Sequence, residues 1–115
     1  MKECDPFYKS TRWKKLRQRI LRRDGYLCQL SKRTGRFIQA DVVHHIFPRE
    51  SFPEFQWESW NLISLSNSRH NTLHDRDTDQ LTEEGLELLR RTAIRMQLGD
   101  VDGLVRRMKP PGSDV

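Results

Sequence analysis

At 115 residues the chain is long enough for one core, and only 35% of it is hydrophobic. No apolar run approaches the roughly 18 residues that cross a bilayer, and the start at Met1 has no apolar stretch of signal-peptide type, so the expectation is a soluble, cytoplasmic protein with no membrane span. The net charge of +5 is uneven: residues 1–39 hold 12 Lys or Arg against 3 Asp or Glu, and residues 40–115 hold 9 against 13, which points to a polyanion-facing surface in the first third.

The first predicted element is a helix over 9–23, capped by Ser10 or Thr11. Trp13, Leu16, Ile20 and Leu21 fall on one face, and cations including Arg12, Lys15, Arg17, Arg19, Arg22 and Arg23 cover the rest. Asp24-Gly25 ends it, with Gly25 suited to a left-handed cap. Residues 26–39 read as irregular structure or a short hairpin with a basic turn at Lys32, Arg33 and Arg36. A strand is expected over 40–46, where Val42, Val43 and Ile46 favour a pleated surface, and a second at 62–65. Ser66 or Asn67 then caps a helix through about Asp75, and a further helix runs over 82–98 with Leu86, Leu89, Ala93 and Met96 inward. A short helix over 101–108 precedes a tail rich in Pro and Gly. The fold class is therefore α+β, with residues 1–98 as one domain and 99–115 as an extension.

All four histidines, at 44, 45, 70 and 74, lie within 31 residues. Neighbours on a strand point to opposite faces, so His44 and His45 cannot both reach one point. One can face a metal ion while the other faces a substrate beside it. On a helix the spacing of His70 and His74 puts both imidazoles on one face, a familiar way to hold one ion. One strand histidine and two helix histidines make three nitrogen ligands with positions left open, and the fourth histidine is a candidate general base. The competing reading, a structural zinc on all four, fits adjacent His44 and His45 poorly.

Three segments then carry a resemblance: Ala40-Asp41-Val42-Val43-His44-His45-Ile46, Trp60-Asn61-Leu62-Ile63-Ser64-Leu65 and His70-Asn71-Thr72-Leu73-His74. In this order and spacing they resemble the HNH endonucleases, the ββα-metal or His-Me finger fold. Phe7-Tyr8-Lys9-Ser10, Arg23-Asp24-Gly25-Tyr26-Leu27-Cys28 and Leu81-Thr82-Glu83-Glu84-Gly85 are similar to flanking segments of small HNH proteins of tailed bacteriophages, so the resemblance spans about 7–97. It implies a ββα-metal core at about 40–76, preceded by a basic helix and followed by another helix. It implies His45 as the base that activates water, and Asn61 as the residue that holds the base's loop by hydrogen bonds. His44, His70 and His74 become ligands of one divalent ion, with Asn71 a secondary helper. The ion is left open among magnesium, manganese, nickel, cobalt and zinc, because imidazole suits the transition metals while many relatives work with magnesium or manganese.

One departure stands out. The zinc knuckles of many relatives would fall here on Cys28-Gln29-Leu30-Ser31 and Ser66-Asn67-Ser68-Arg69, where a single thiol remains. Neither Cys28 alone nor its pairing with Cys4 makes a thiolate cage or a disulfide scaffold, so no structural zinc is expected. Apolar packing from Leu27, Leu30, Phe37 and Leu65 is expected to replace it.

The implied activity is phosphodiester hydrolysis on DNA, giving 5′-phosphate and 3′-hydroxyl ends, with a rate that rises through roughly pH 6.5 as His45 loses its proton. Arg12, Lys15, Arg19, Arg22, Arg23, Lys32, Arg33 and Arg36 are expected on the phosphate backbone, with Arg69 and Arg76 on flanking phosphates. Trp57 and Trp60 read as core, and sequence preference as loose. Two other classes compete: a non-catalytic, metal-stabilised nucleic-acid-binding module, and a colicin-like killing domain, which would need an acidic immunity partner. The phage resemblance implies a role in DNA packaging beside terminase and portal proteins, in the cytoplasm of a bacterial host.

Overall fold

The computed structural model describes residues 5–78 and 80–108, and the fold is α+β. The helix expected over 9–23 starts at Thr11, and a separate short helix precedes it. Asp5 caps α1 (Pro6–Lys9) by accepting from the Phe7 amide, and Ser10 caps α2 (Thr11–Arg23) by accepting from the Trp13 amide. Ser10 is extended (φ −71°, ψ 149°), so the chain turns a corner there instead of continuing as a helix from Lys9. As the spacing predicts, Trp13, Leu16, Ile20 and Leu21 are the buried residues of α2. Gly25 (φ 66°) and Tyr26 (φ 60°) then turn the chain, and the Tyr26 amide returns to the Leu21 carbonyl at 2.8 Å.

The segment over 26–39 holds a short helix, α3 (Gln29–Arg33), inside a narrow loop. The loop is closed by a bridge between Leu27 and Gln39 and by the Cys28 amide on the Ile38 carbonyl. Leu30 and Ser31 are its buried side chains. Phe37, expected beneath this segment, is 70% exposed, so it takes no part in replacing a zinc knuckle; Cys28, Leu30 and Leu65 are buried together there.

Strands β1 (Val42–His45) and β2 (Leu62–Leu65) pair antiparallel, with Val42 opposite Leu65, His44 opposite Ile63 and His45 opposite Leu62. Both faces of this ribbon are covered. Leu62 and Val43 meet Trp13, Leu16 and Ile20 of α2 on one side. Ile63, Leu65 and Ile46 join Leu30, Phe47, Leu73 and Leu89 on the other. A two-stranded ribbon is marginal alone in water, and burial on both faces is what stabilises it. Arg23 and Asp24 tie the end of α2 to it: the Arg23 guanidinium donates to the Ser59 and Leu62 carbonyls, and the Asp24 carboxylate accepts from the Ser64 amide at 3.0 Å.

Helix α4 (Asn67–Asn71) is shorter than the sequence suggests. Ser66 caps its start by accepting from the Arg69 amide, and the Asp41 carboxylate accepts from the Asn67 amide. At its end the Thr72 hydroxyl bonds the Arg69 carbonyl, and the Thr82 hydroxyl and amide take the Thr72 and Leu73 carbonyls. These side-chain bonds compete with the helix ladder, so His74 leaves the helix and forms a bridge with Leu81.

Helix α5 (Glu83–Arg95), capped by Thr82, buries Leu88, Leu89, Thr92 and Ala93. Leu86 and Met96, expected inward, are only half-buried at the margins of that face. The helix stops at Arg95, short of the expected Leu98, because Gln97 (φ 56°) and Gly99 (φ 88°) unwind it. Helix α6 (Val101–Arg107) lays Val101, Leu104 and Val105 against the main core, and Arg107 reaches Glu54 at 2.6 Å. The tail expected after 108 lies outside the described residues.

Gly85 is where α5 meets the His74 turn: a Cβ there would sit 2.5 Å from the Leu73 carbonyl oxygen, a rigid backbone atom. Gly85→Ala should therefore destabilise the protein by about 1–3 kcal/mol despite alanine's better helix propensity. Urea denaturation checks this, and an unchanged or higher midpoint would show that α5 and the turn are not in that contact.

Candidate active site

Because β1 is regular to its end, His44 and His45 point to opposite faces, and the two environments differ. His44 is buried against the α4 turn. Its ring lies 5.1 Å from that of His70 and 5.1 Å from that of His74, and those two are also 5.1 Å apart. Each offers one ring nitrogen such that all three nitrogens fall within 4.8 Å of one another. His44 Nδ1 and His74 Nε2 are 3.4 Å apart, and metal–nitrogen bonds of about 2.0–2.1 Å in tetrahedral geometry put two ligand nitrogens roughly 3.3–3.4 Å apart. His44 Nε2 is buried with no hydrogen-bond partner, an orphan polar atom inside a cluster of imidazoles. Burial, then the neighbouring histidines, hold the His44 pKa well below the ordinary imidazole value, so it is neutral and ligand-ready at neutral pH. These three residues fit a divalent ion. The chain brings His70 and His74 together by a turn, not by the four-residue spacing of one helix.

His45 faces the other way, into aromatic rings. Trp13 stacks on it with centroids 5.2 Å apart and planes 21° apart, and Phe7 meets it edge-on at 5.7 Å. Its Nε2 lies 3.1 Å from the Gln56 carbonyl oxygen. A carbonyl only accepts, so Nε2 carries the proton and Nδ1 is left as the basic nitrogen. Burial lowers the His45 pKa to about 4, with the Arg49 charge adding to it and the Gln56 carbonyl opposing it. The imidazole is then already neutral at pH 6.5, which removes the sequence-based reason for a rate that climbs through that value.

Asn61 is fully buried and brackets the intervening loop. Its Oδ1 accepts from the Phe47 amide at 2.7 Å, and its Nδ2 donates to the Phe47 and Phe55 carbonyls at 3.2 and 3.1 Å. Those bonds fix the chain on both sides of Gln56, the residue whose carbonyl orients His45.

A cleft of about 560 Å³ contains all four histidines and Asn71. Of the predicted cations, Arg76 lines it. Arg12 instead stacks over Trp57 at 4.0 Å, and Lys15, Arg19 and Arg22 are exposed along α2. Arg23 is engaged by Asp24 and two carbonyls, which gives it a structural role, and Arg69 faces Glu84 at 3.8 Å. Lys32, Arg33 and Arg36 lie outside the cleft. Two arginines that the sequence reading did not place there do line it, Arg17 and Arg49. Arg17 is four residues after buried Trp13, at the border of the apolar stripe, so helical spacing could have found it. Arg49 follows β1 in an irregular loop with no periodic signal. Its guanidinium sits 4.2 Å over the Phe7 ring and pairs with Asp5.

At Cys28, burial raises the pKa but hydrogen bonds with Ser31 and Ser66 outweigh it, so the thiol ends below its ordinary value.

The buried histidines make stability depend on pH. Both His44 and His45 have folded pKa values below the unfolded value, so their contribution is fully present above pH 6.5 and is lost as the pH falls, for His45 down to about 4. His45 alone accounts for up to about 3 kcal/mol. Melting of metal-free protein should show a marked drop in Tm between about pH 7 and about pH 4.5, reduced in His45→Gln; a flat Tm would mean that His45 is not buried as described.

No protein-family model and no curated protein sequence matches the chain. Among solved structures, the crystal structure of the HNH endonuclease of the deep-sea thermophilic bacteriophage GVE2, with manganese ion, superposes with a TM-score of 0.57. The alignment covers 61% of this chain and 76% of that one, at 31% identity. With that identity over three quarters of the phage enzyme, and with the histidine cluster in place, the chain belongs to the HNH endonuclease family.

Proposed function

We propose that this chain is a metal-dependent DNA endonuclease in which His45 is the general base and His44, His70 and His74 hold one divalent ion. The observation that carries this reading is the split histidine pair: one imidazole joins a three-nitrogen cluster and its neighbour, oriented by a carbonyl, opens on the same cleft. The phage neighbour, whose structure contains a manganese ion, supports a divalent metal as the cofactor. An ion held there would supply a Lewis acid to a phosphate oxygen and to the leaving 3′ oxygen.

The chain's own groups do the rest. His45 Nδ1 takes the proton of a water aligned with phosphorus, while Nε2–H stays on the Gln56 carbonyl. Stacking on Trp13 holds the ring plane, and Asn61 acts as a positioning residue through the loop carrying Gln56. Arg17, Arg49 and Arg76 offer cations to the phosphates on either side of the scissile bond, and Arg12, Lys15, Arg19 and Arg22 extend that field along α2. None of these is arranged to read base edges, so sequence preference should be loose. Among the described residues no helix is long and apolar enough to cross a membrane. A phage-encoded enzyme acting in the host cytoplasm on genome DNA during packaging, beside terminase and portal, is the setting that the phage resemblance favours.

Supercoiled plasmid with manganese or magnesium tests the reading. The wild type should convert it to open-circle or linear DNA, EDTA should stop this, and His45→Ala should lower the rate by about 10²–10⁴-fold while manganese still binds. His74→Ala should instead lose manganese affinity in calorimetry. Salt-sensitive DNA binding without cleavage under any divalent ion would replace the nuclease by a binding module.

A further inference from the structure

A second cavity of about 220 Å³ lies between the end of α2, α3 and α5. None of its lining residues lines the first. Three arginines converge on it, Arg23, Arg33 and Arg95, from the last turns of α2, α3 and α5. One carboxylate, Asp24, is also there, but its oxygens already accept from Arg23 and from the Ser64 amide. Among the described residues no carboxylate pairs with Arg33 or Arg95. By contrast, Arg90 and Arg91 on the same helix α5 face Glu83 and Glu87 at 3.8 and 3.6 Å.

Helix C-termini favour cations, which explains one arginine on each helix but not their convergence on a shared cavity. Partial burial, and the charges of Arg91 and Arg95, push the Arg33 pKa down, so the guanidiniums repel one another. Lys32 and Arg36, exposed on the adjoining turn, extend the same positive field. An anion with several acceptor oxygens would relieve the repulsion and engage the planar forks of Arg33 and Arg95 two oxygens at a time.

We propose that Arg33 and Arg95, at the mouth of the cavity between α3 and α5, form a phosphate-binding site separate from the catalytic cleft. Its size suits a phosphate or diphosphate group rather than a whole nucleotide. The phosphate can belong to a DNA strand crossing this surface, or to a free phosphorylated ligand. The continuing positive track at Lys32 and Arg36 favours the strand.

The test compares wild type, Arg33→Ala/Arg95→Ala and a charge-matched control, Arg90→Ala/Arg106→Ala, all without metal. One arm measures duplex DNA affinity across a salt series. The other titrates inorganic pyrophosphate by calorimetry. For a DNA strand, the slope of log affinity against log salt should fall by about 2 in the double variant, roughly one counterion per arginine, and hold in the control. For a free ligand, pyrophosphate should bind the wild type and lose at least tenfold in the double variant while the slope holds. If neither arm separates the double variant from the control, the proposal is overturned. If the wild type binds no duplex at all, the nuclease reading fails, and the pyrophosphate arm alone decides this site. Arg33→Lys/Arg95→Lys covers a folding defect: the charge stays, so the salt slope should hold, but pyrophosphate affinity should drop with loss of the fork; unchanged affinity there would also overturn the proposal.

Discussion

The site depends on one constraint, the two-residue period of a paired strand. Adjacent side chains on β1 must face opposite ways as long as the ladder to β2 holds, and it holds to His45, which sits opposite Leu62. One imidazole is thereby sent toward α4 and the other toward α2, within a single cleft. Slipping the register by one residue would exchange the two environments and leave the His70–His74 pair without its third nitrogen. Everything that covers the ribbon also guards that register: Leu62 and Val43 are buried against α2, Ile63 and Leu65 against the main core.

Burying two imidazoles has a cost that the surroundings offset in different ways. His44 loses hydration and gains no hydrogen bond at Nε2, and two more histidine rings crowd it. That is unfavourable for a cluster of protonated rings and favourable for a cluster of neutral ligands, so the destabilised metal-free state raises affinity for a cation. His45 is treated otherwise: it loses water to Trp13 and Phe7 but keeps one strong partner in Gln56. Its pKa, lowered to about 4, leaves the imidazole neutral at neutral pH.

Much of this was legible in the sequence. The buried stripe of α2, both strands, the cap at Ser66 and the isolation of four histidines in one span all follow from periodicity and residue chemistry, and α2, β1, β2 and α5 form near the expected bounds. The errors share a cause. Thr82 helps to end α4 through a bond to the Thr72 carbonyl ten residues back, which no local helix signal records. Arg49 enters the cleft because Asp5 and Phe7 hold it from a distant element. Phe37 is apolar by type, but the loop directs it outward. Local chemistry set the elements; contacts between distant elements set the ends of α4 and the charge lining.

Charge tells the same story at longer range. The sequence shows a basic first third but cannot say which cations share a surface. In the fold, Arg23 is drawn inward to carbonyls and Asp24, Arg12 stacks on Trp57, and Arg17 turns into the cleft. Meanwhile Arg95, from the acidic remainder of the chain, joins Arg33 at the second cavity. A field that reads as one N-terminal patch is thus divided between two cavities that share no lining residue, and the second draws one of its arginines from the far end of the chain.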